Sequence, residues 1–128
     1  MYDNNNIYGT IKLAGTSGAA KTADSAIKDH GAAAEIDQYT PYAFVIKPAA
    51  SVTGAVTIKV MESDAVSGTE ESVTMTSPTS EIAFTITNPE ADREYRFPFP
   101  FHHKRYMSLQ AGGEITVDLF AAVERLIW

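Results

Sequence analysis

Cysteine is absent from this chain of 128 residues. Neither a disulfide framework nor a cysteine-ligated zinc or iron–sulfur site is therefore available to it, which suits folding in a reducing cytoplasm. Long hydrophobic runs are missing as well. No stretch approaches the roughly 18 apolar residues of a membrane-spanning helix, and the opening Met-Tyr-Asp-Asn-Asn-Asn carries neither a basic nor an apolar targeting region. The expectation is a soluble protein with no membrane partner, not secreted by the classical route. Catalytic signatures are lacking too: there is no Gly-x-Ser-x-Gly, no P-loop, no Gly-x-Gly-x-x-Gly and no cysteine nucleophile. The acid pairs Glu62/Asp64 and Glu70/Glu71 are of a kind found in any acidic domain. The chain reads as a non-enzyme without a cofactor.

What is present suits one globular domain. Hydrophobic residues make up 45% and charged residues 20% of the chain, ordinary values for a packed core of this size. The formal net charge of −6 favours solubility and argues against nucleic acid as a partner.

Two regions differ in texture. Residues 1–34 read as an N-terminal arm. From Gly9 to Ala34 the arm is rich in Gly, Ala, Ser and Thr, and Ile11, Leu13 and Ile27 are widely spaced. Little apolar surface is there to offset ordering entropy. Such an arm is either a poorly structured terminus or a segment that orders against a neighbouring subunit. A short helix over 22–28, capped by Thr22 or Asp24, is the one local element it suggests.

Residues 35–128 read as a β-sandwich domain. Tyr42 to Lys47 is a strand bounded by Pro41 and Pro48. Val56, Ile58 and Val60 alternate with Thr57, Lys59 and Met61, the period-2 mark of a half-buried strand. The turn from Ser51 to Ala55 predicts a hairpin between these two. A short strand follows over 72–76, and Ile82, Phe84 and Ile86 then alternate with Ala83, Thr85 and Thr87. Asn88-Pro89 marks a turn. Strands over 94–97, 106–110 and 115–121 complete the set, with Gly112-Gly113 as a hairpin turn between the last two. Seven or eight short strands at this spacing predict an all-β, antiparallel, jelly-roll-like sandwich. No helical period is long enough for parallel crossovers.

The most distinctive stretch is 93–109. It holds three phenylalanines, two prolines, two histidines and four of the ten Lys/Arg residues. In Phe97-Pro-Phe-Pro-Phe two backbone positions have fixed φ and no N–H, so the segment must be an edge or a connection. Its phenylalanines either cap the open end of the sandwich or form an apolar patch for a partner. His102 and His103 are adjacent, so on a strand their rings point to opposite faces and do not share one ion; His30 lies in the arm, and no metal site is expected. Between Glu62 and Glu94 there are eight acids and one base, whereas residues 96–105 carry Arg96, Arg105, Lys104 and two histidines without an acid. These are either solvated loops of opposite sign or complementary patches used between subunits. The candidate partner-binding residues are Arg96, Phe99, Phe101, His102, His103, Lys104, Arg105, Tyr106 and Trp128; none is a candidate for catalysis, cofactor binding or metal ligation. Arginine, tyrosine and tryptophan are favoured at interface hot spots.

Four segments carry a family likeness: Thr53-Gly-Ala-Val-Thr-Ile-Lys-Val-Met-Glu-Ser-Asp, Arg96-Phe-Pro, Arg105-Tyr-Met-Ser-Leu and Glu114-Ile-Thr-Val-Asp-Leu. Together they resemble the capsid cement (decoration) proteins of tailed phages, in particular the jelly-roll type of Bordetella-phage-like podoviruses. The resemblance spans residues 35–121. The link from Leu109 through Gly113 is shorter than in that pattern, and the Phe/Pro segment and the tail to Trp128 depart from it. The resemblance implies a virion structural protein that sits on the outer capsid surface and braces the major capsid protein shell. It would act as a homodimer or homotrimer, made in the host cytoplasm and carried on the virion. A tail, baseplate or fibre-attachment β-domain and a carbohydrate-binding jelly-roll module are the alternatives; for the last, Phe99 or Trp128 would serve as stacking platforms.

Overall fold

The computed structural model describes residues 7–13, 22–29, 42–69, 73–99, 104–113 and 117–125. Among these residues eleven strands follow in chain order: β1 (Ile7–Ile11), β2 (Thr22–Asp24), β3 (Lys28–Asp29), β4 (Tyr42–Pro48), β5 (Ala55–Ser63), β6 (Val66–Ser67), β7 (Thr74–Met75), β8 (Thr79–Thr87), β9 (Tyr95–Pro98), β10 (Tyr106–Gly113) and β11 (Leu119–Arg125). Among the described residues there is no helix.

Two sheets form the sandwich. The first has the order β1-β11-β4-β9; in the second, β2 and β3 both pair with β10, followed by β5 and β8. Every pairing is antiparallel. The chain passes repeatedly from one sheet to the other, which is the jelly-roll connectivity of two interlocked Greek keys. The small β6–β7 hairpin stands apart as its own two-stranded sheet.

The alternation in the sequence builds the core. Val56, Ile58 and Val60 of β5, Met107, Leu109 and Ala111 of β10, and Ile86 of β8 point inward from the second sheet. Phe44 and Ile46 of β4 and Leu119, Ala121 and Val123 of β11 meet them from the first. Phe44 is the hub, with ring centroids 6.0 Å from Tyr8, 6.4 Å from Phe84 and 4.9 Å from Phe99. It thereby ties β1, β8 and the exit of β9 into one aromatic cluster.

Several local expectations are corrected. The connection after β4 is no hairpin: β4 and β5 lie in different sheets. A sandwich requires each strand's apolar face to look at the opposite sheet, and residues 49–54 make that crossing. They are held by Ala49 donating to the Asp118 carbonyl at 2.9 Å and Val52 donating to that of Pro89 at 3.1 Å. Gly112 and Gly113 are likewise not a turn. They continue β10 opposite Thr57 and Val56, and β11 belongs to the other sheet. Gly113 is needed for a different reason: its φ is +146°, and a Cβ there would stand 2.7 Å from the Ala55 carbonyl oxygen. The last strand begins at Leu119 and runs on to Arg125; Val117 and Asp118 precede it outside any strand, and residues 115 and 116 of the expected strand lie outside the described residues.

The segment expected as a helix over 22–28 is extended. Its backbone completes the edge of β10, where Thr22, Ala23 and Asp24 face Gly112, Ala111 and Gln110. A free sheet edge offers more hydrogen-bond partners than one isolated helical turn. The arm also contributes to the core. Tyr8, Ile11 and Leu13 are fully buried, so its few large apolar residues are placed where they remove the most surface from water. Burial pushes the Tyr8 hydroxyl pKa well above the usual tyrosine range.

Candidate functional site

The residues singled out in the sequence divide into four groups. Phe101, His102, His103 and Trp128, with His30, lie outside the described residues. Phe99 is a core residue, 6% exposed, against Phe44 at 4.9 Å and Tyr42 at 6.2 Å. Of the two roles open to the phenylalanines, Phe99 takes the capping one. The short β9 places it: Phe97 faces in, Pro98 ends the strand, and the Phe99 amide donates to the Tyr42 carbonyl at 3.2 Å. As expected from Pro98, β9 is a sheet edge among the described residues, and Pro100 lies outside them.

Arg96 faces outward from β9 but is engaged. Its Nε donates to Glu124 Oε2 at 2.9 Å and its Nη2 to Glu94 Oε1 at 3.0 Å. Glu124 is on β11, so the side chain reaches across the intervening β4. The hydrogen bond to Glu124 is the main cause of a guanidinium pKa raised above its ordinary value. Nearby, Arg93 pairs with Glu90 at 2.6 Å and lies 5.0 Å from the Tyr95 ring centroid. Part of the opposite charge noted in the sequence is thus matched within the chain, at exposed positions where each pair is worth little.

Lys104, Arg105 and Tyr106 stand together at the start of β10. The Lys104 amide donates to Glu62 Oε2 at 3.2 Å, and the Arg105 guanidinium sits 5.0 Å from the Tyr106 ring centroid. Tyr106 opens onto a groove of about 810 Å³ on the outer face of the second sheet. Its floor is Met61 of β5 with Tyr106, Ser108 and Gln110 of β10. One wall is the β6–β7 hairpin with Val66, Val73 and Met75; the other is the stretch from Asp24 to Ile27. The outward positions of both floor strands follow from the same alternation that turns Val60 and Leu109 inward.

Two buried serines hold the walls. On the arm side, the Ser25 amide donates to the Leu109 carbonyl at 2.8 Å, and the Leu109 amide donates back to Ser25 Oγ at 2.8 Å. On the hairpin side, Ser63 is 1% exposed; its Oγ lies within hydrogen-bond reach of the Ala65 and Thr76 carbonyls. The sequence reading missed the groove. Its one available signal was Val66, Val73 and Met75, apolar residues in a Ser/Thr/Glu-rich stretch too short to reach the core.

The arrangement is suited to contact rather than bond making: a shallow surface with a half-buried aromatic ring, two methionines that can adapt in shape, and amide and hydroxyl groups along one side. No family model matches the chain, and neither a curated protein nor a solved structure matches it.

Proposed function

We propose that this chain is a tailed-phage virion structural protein that binds the outer capsid surface and cements the major capsid protein shell. One observation supports the reading most. The fold that the family resemblance implies is a jelly roll, and this chain has jelly-roll connectivity. Within it, two resemblance segments form β5 and β10, paired over eight residues from Tyr106↔Ser63 to Gly113↔Val56. Contact with the shell is assigned to the Lys104–Arg105–Tyr106 end of β10 and the adjoining groove. Such a role needs no chemistry at each copy. A modest contact repeated by many symmetric copies gives high overall avidity.

The test is co-sedimentation of the purified chain with expanded, undecorated heads. Saturable binding at a fixed ratio to the major capsid protein, weakened by Tyr106→Ala and Arg105→Ala, is the expected result. Absence of saturable binding overturns the proposal. The groove also favours a second reading, a carbohydrate-binding module, because an aromatic ring beside Ser108, Gln110 and Asp24 offers a stacking face with polar groups next to it. A glycan-array ligand lost on Tyr106→Ala, together with no head binding, would establish that reading in its place. Phe99, buried in the core, is not available for stacking.

A further inference from the structure

The two sheets have four outer edges, and three are blunted against further strand pairing. β1 is short and shifts register between Ile7 and Gly9, where φ is +84°. β9 has four residues, ends in Pro98 and carries Arg96. The β2 and β3 edge is broken into pieces of three and two residues. Bulges, prolines, charges and short strands are the devices by which proteins keep edges from pairing.

The fourth edge, β8, differs. It has nine residues and no strand on its outer side among the described residues. Its one irregularity is near its start, where the register with β5 shifts between Val60 and Glu62, so Ser80 and Glu81 together oppose Met61. Past that point residues 82–87, Ile-Ala-Phe-Thr-Ile-Thr, form a regular ladder with no proline, glycine or charge. A six-residue run of this composition on an open edge is a hazard unless something covers it.

The direction of its free backbone groups can be read from the ladder. One step beyond Ala55↔Thr87, the Asn88 amide donates to the Gly54 carbonyl at 2.7 Å. Hydrogen-bonded and non-hydrogen-bonded pairs alternate. Ile86, Phe84 and Ile82 therefore bond toward β5, while the N–H and C=O of Ala83, Thr85 and Thr87 point outward. The side-chain hydroxyls of Thr57 and Thr85, 3.3 Å apart, agree with the close approach of a non-hydrogen-bonded pair. On the inner face, Phe84 and Phe97 stack at 4.5 Å and are only partly buried, so apolar surface remains accessible along this edge.

We infer that β8 pairs antiparallel with β8 of a second copy of this chain, with Thr85 on the twofold axis. Ala83 and Thr87 then face the partner's Thr87 and Ala83, and about six backbone hydrogen bonds join the copies. Phe84 then stands opposite the partner's Ile86, and the partner strand covers the open side of the partly buried ring. The threonine row on the outer face runs from Thr57 through both copies of Thr85 to the second Thr57. Self-complementarity favours a copy as the occupant: the outward-bonding positions Ala83, Thr85 and Thr87 match themselves about the twofold, and although the chain carries −6, the only acid on β8, Glu81, lies outside the paired stretch, so no like charges oppose each other within it. A strand that pairs with itself about a twofold makes an isologous, closed interface. The inference stands on the edge geometry and does not rest on the capsid reading.

The test is mass in solution by sedimentation equilibrium on the full chain and two variants. Thr85→Lys places a charge on the axis. Thr85→Pro removes an N–H that points away from β5, so it costs no backbone hydrogen bond within the chain, only the exposed hydroxyl contact with Thr57. The expected result is a dimer of the 13.9 kDa chain for the parent and monomers for both variants, with unchanged β-type circular dichroism. Thr85→Cys, the sole thiol in a chain without cysteine, should cross-link to a covalent dimer on mild oxidation, whereas Thr10→Cys on the β1 edge should not. A monomeric parent overturns the inference. So does a dimer that persists in folded Thr85→Lys, or cross-linking that is equal for Thr85→Cys and Thr10→Cys.

Discussion

Replacing Ser25 by alanine tests how the N-terminal arm is fastened. Between β2 and β3 the ladder on β10 breaks: Asp24 pairs with Gln110, and Lys28 with Met107. Leu109 lies in the gap. Its amide, buried in the middle of β10, finds its acceptor in the Ser25 side chain at 2.8 Å, while its carbonyl accepts from the Ser25 amide at 2.8 Å. The same hydroxyl donates to the Ala26 carbonyl at 2.9 Å. Alanine keeps the backbone bond and removes both side-chain bonds, leaving a buried N–H with no acceptor. The cost of such an orphaned donor is about 1–3 kcal/mol. In a domain of this length each kcal/mol lowers Tm by about 3–6 °C. Urea denaturation should show a lower midpoint at unchanged slope, because the surface exposed on unfolding hardly differs. Amide exchange supplies the local readout: protection at Leu109 and at the β2 residues should fall more than at β4 or β11. A loss below about 0.5 kcal/mol with Leu109 still protected would refute the assignment of Ser25 as the fastener.

Other perturbations separate the remaining parts of the account. Phe44→Ala removes the ring shared by Tyr8, Phe84 and Phe99 and should cost about 3–5 kcal/mol in chemical denaturation; a cost below about 1 kcal/mol would contradict its place as hub. Gly113→Ala must adopt a left-handed φ and drive a Cβ into the Ala55 carbonyl, whereas Gly9→Ala meets nothing within 4 Å and bears only its φ of +84°. Gly113→Ala should therefore be the more destabilising of the two, with the φ strain alone costing about 1–2 kcal/mol at either position; the reverse order would refute the close approach. Tyr8 gives an alkaline signature. Its folded pKa is raised by burial, so the folded state keeps a proton that the unfolded chain releases above about pH 10. Stability from this group is fully present below pH 10 and falls above it, by at most about 1.4 kcal/mol per pH unit. Tyr8→Phe should flatten that slope in denaturation curves between pH 9 and 11 (a range set by the tyrosine reference value of about 10), and an unchanged slope would argue against burial of the hydroxyl.

Much of the architecture was legible because period-2 alternation survives in the longest strands. Val56, Ile58 and Val60 of β5 and Ile86 of β8 turn inward as their spacing predicts, with Ile82 and Phe84 packed partly against them. Pro98 of the Phe-Pro-Phe-Pro-Phe run correctly forecast an edge strand, because a missing N–H excludes a central position. Connectivity was less accessible. A turn signal such as Ser51 to Ala55 or Gly112-Gly113 marks where direction or backbone conformation changes, but not whether the next strand joins the same sheet or the opposite one. That choice depends on pairings distant in sequence, such as β4 with β11. The arm misled for a related reason. Tyr8, Ile11 and Leu13 are too few to show a period, yet they fill space between sheets made by later strands. Among the candidate contacts chosen by residue type, Tyr106 lies on the floor of the groove. The groove itself is assembled from β5, β10, the β6–β7 hairpin and the arm, and no local pattern records that meeting.

The proposal that the chain cements a capsid is tested most directly by electron cryomicroscopy of expanded, undecorated heads. The heads are those of the major capsid protein encoded in the same genome, mixed with excess purified chain. The account expects added density on the outer surface at symmetry-related capsomer positions, into which the two-sheet sandwich fits with the Tyr106 end of β10 against the shell. Heads that remain bare at saturating chain, or density confined to tails, would contradict it.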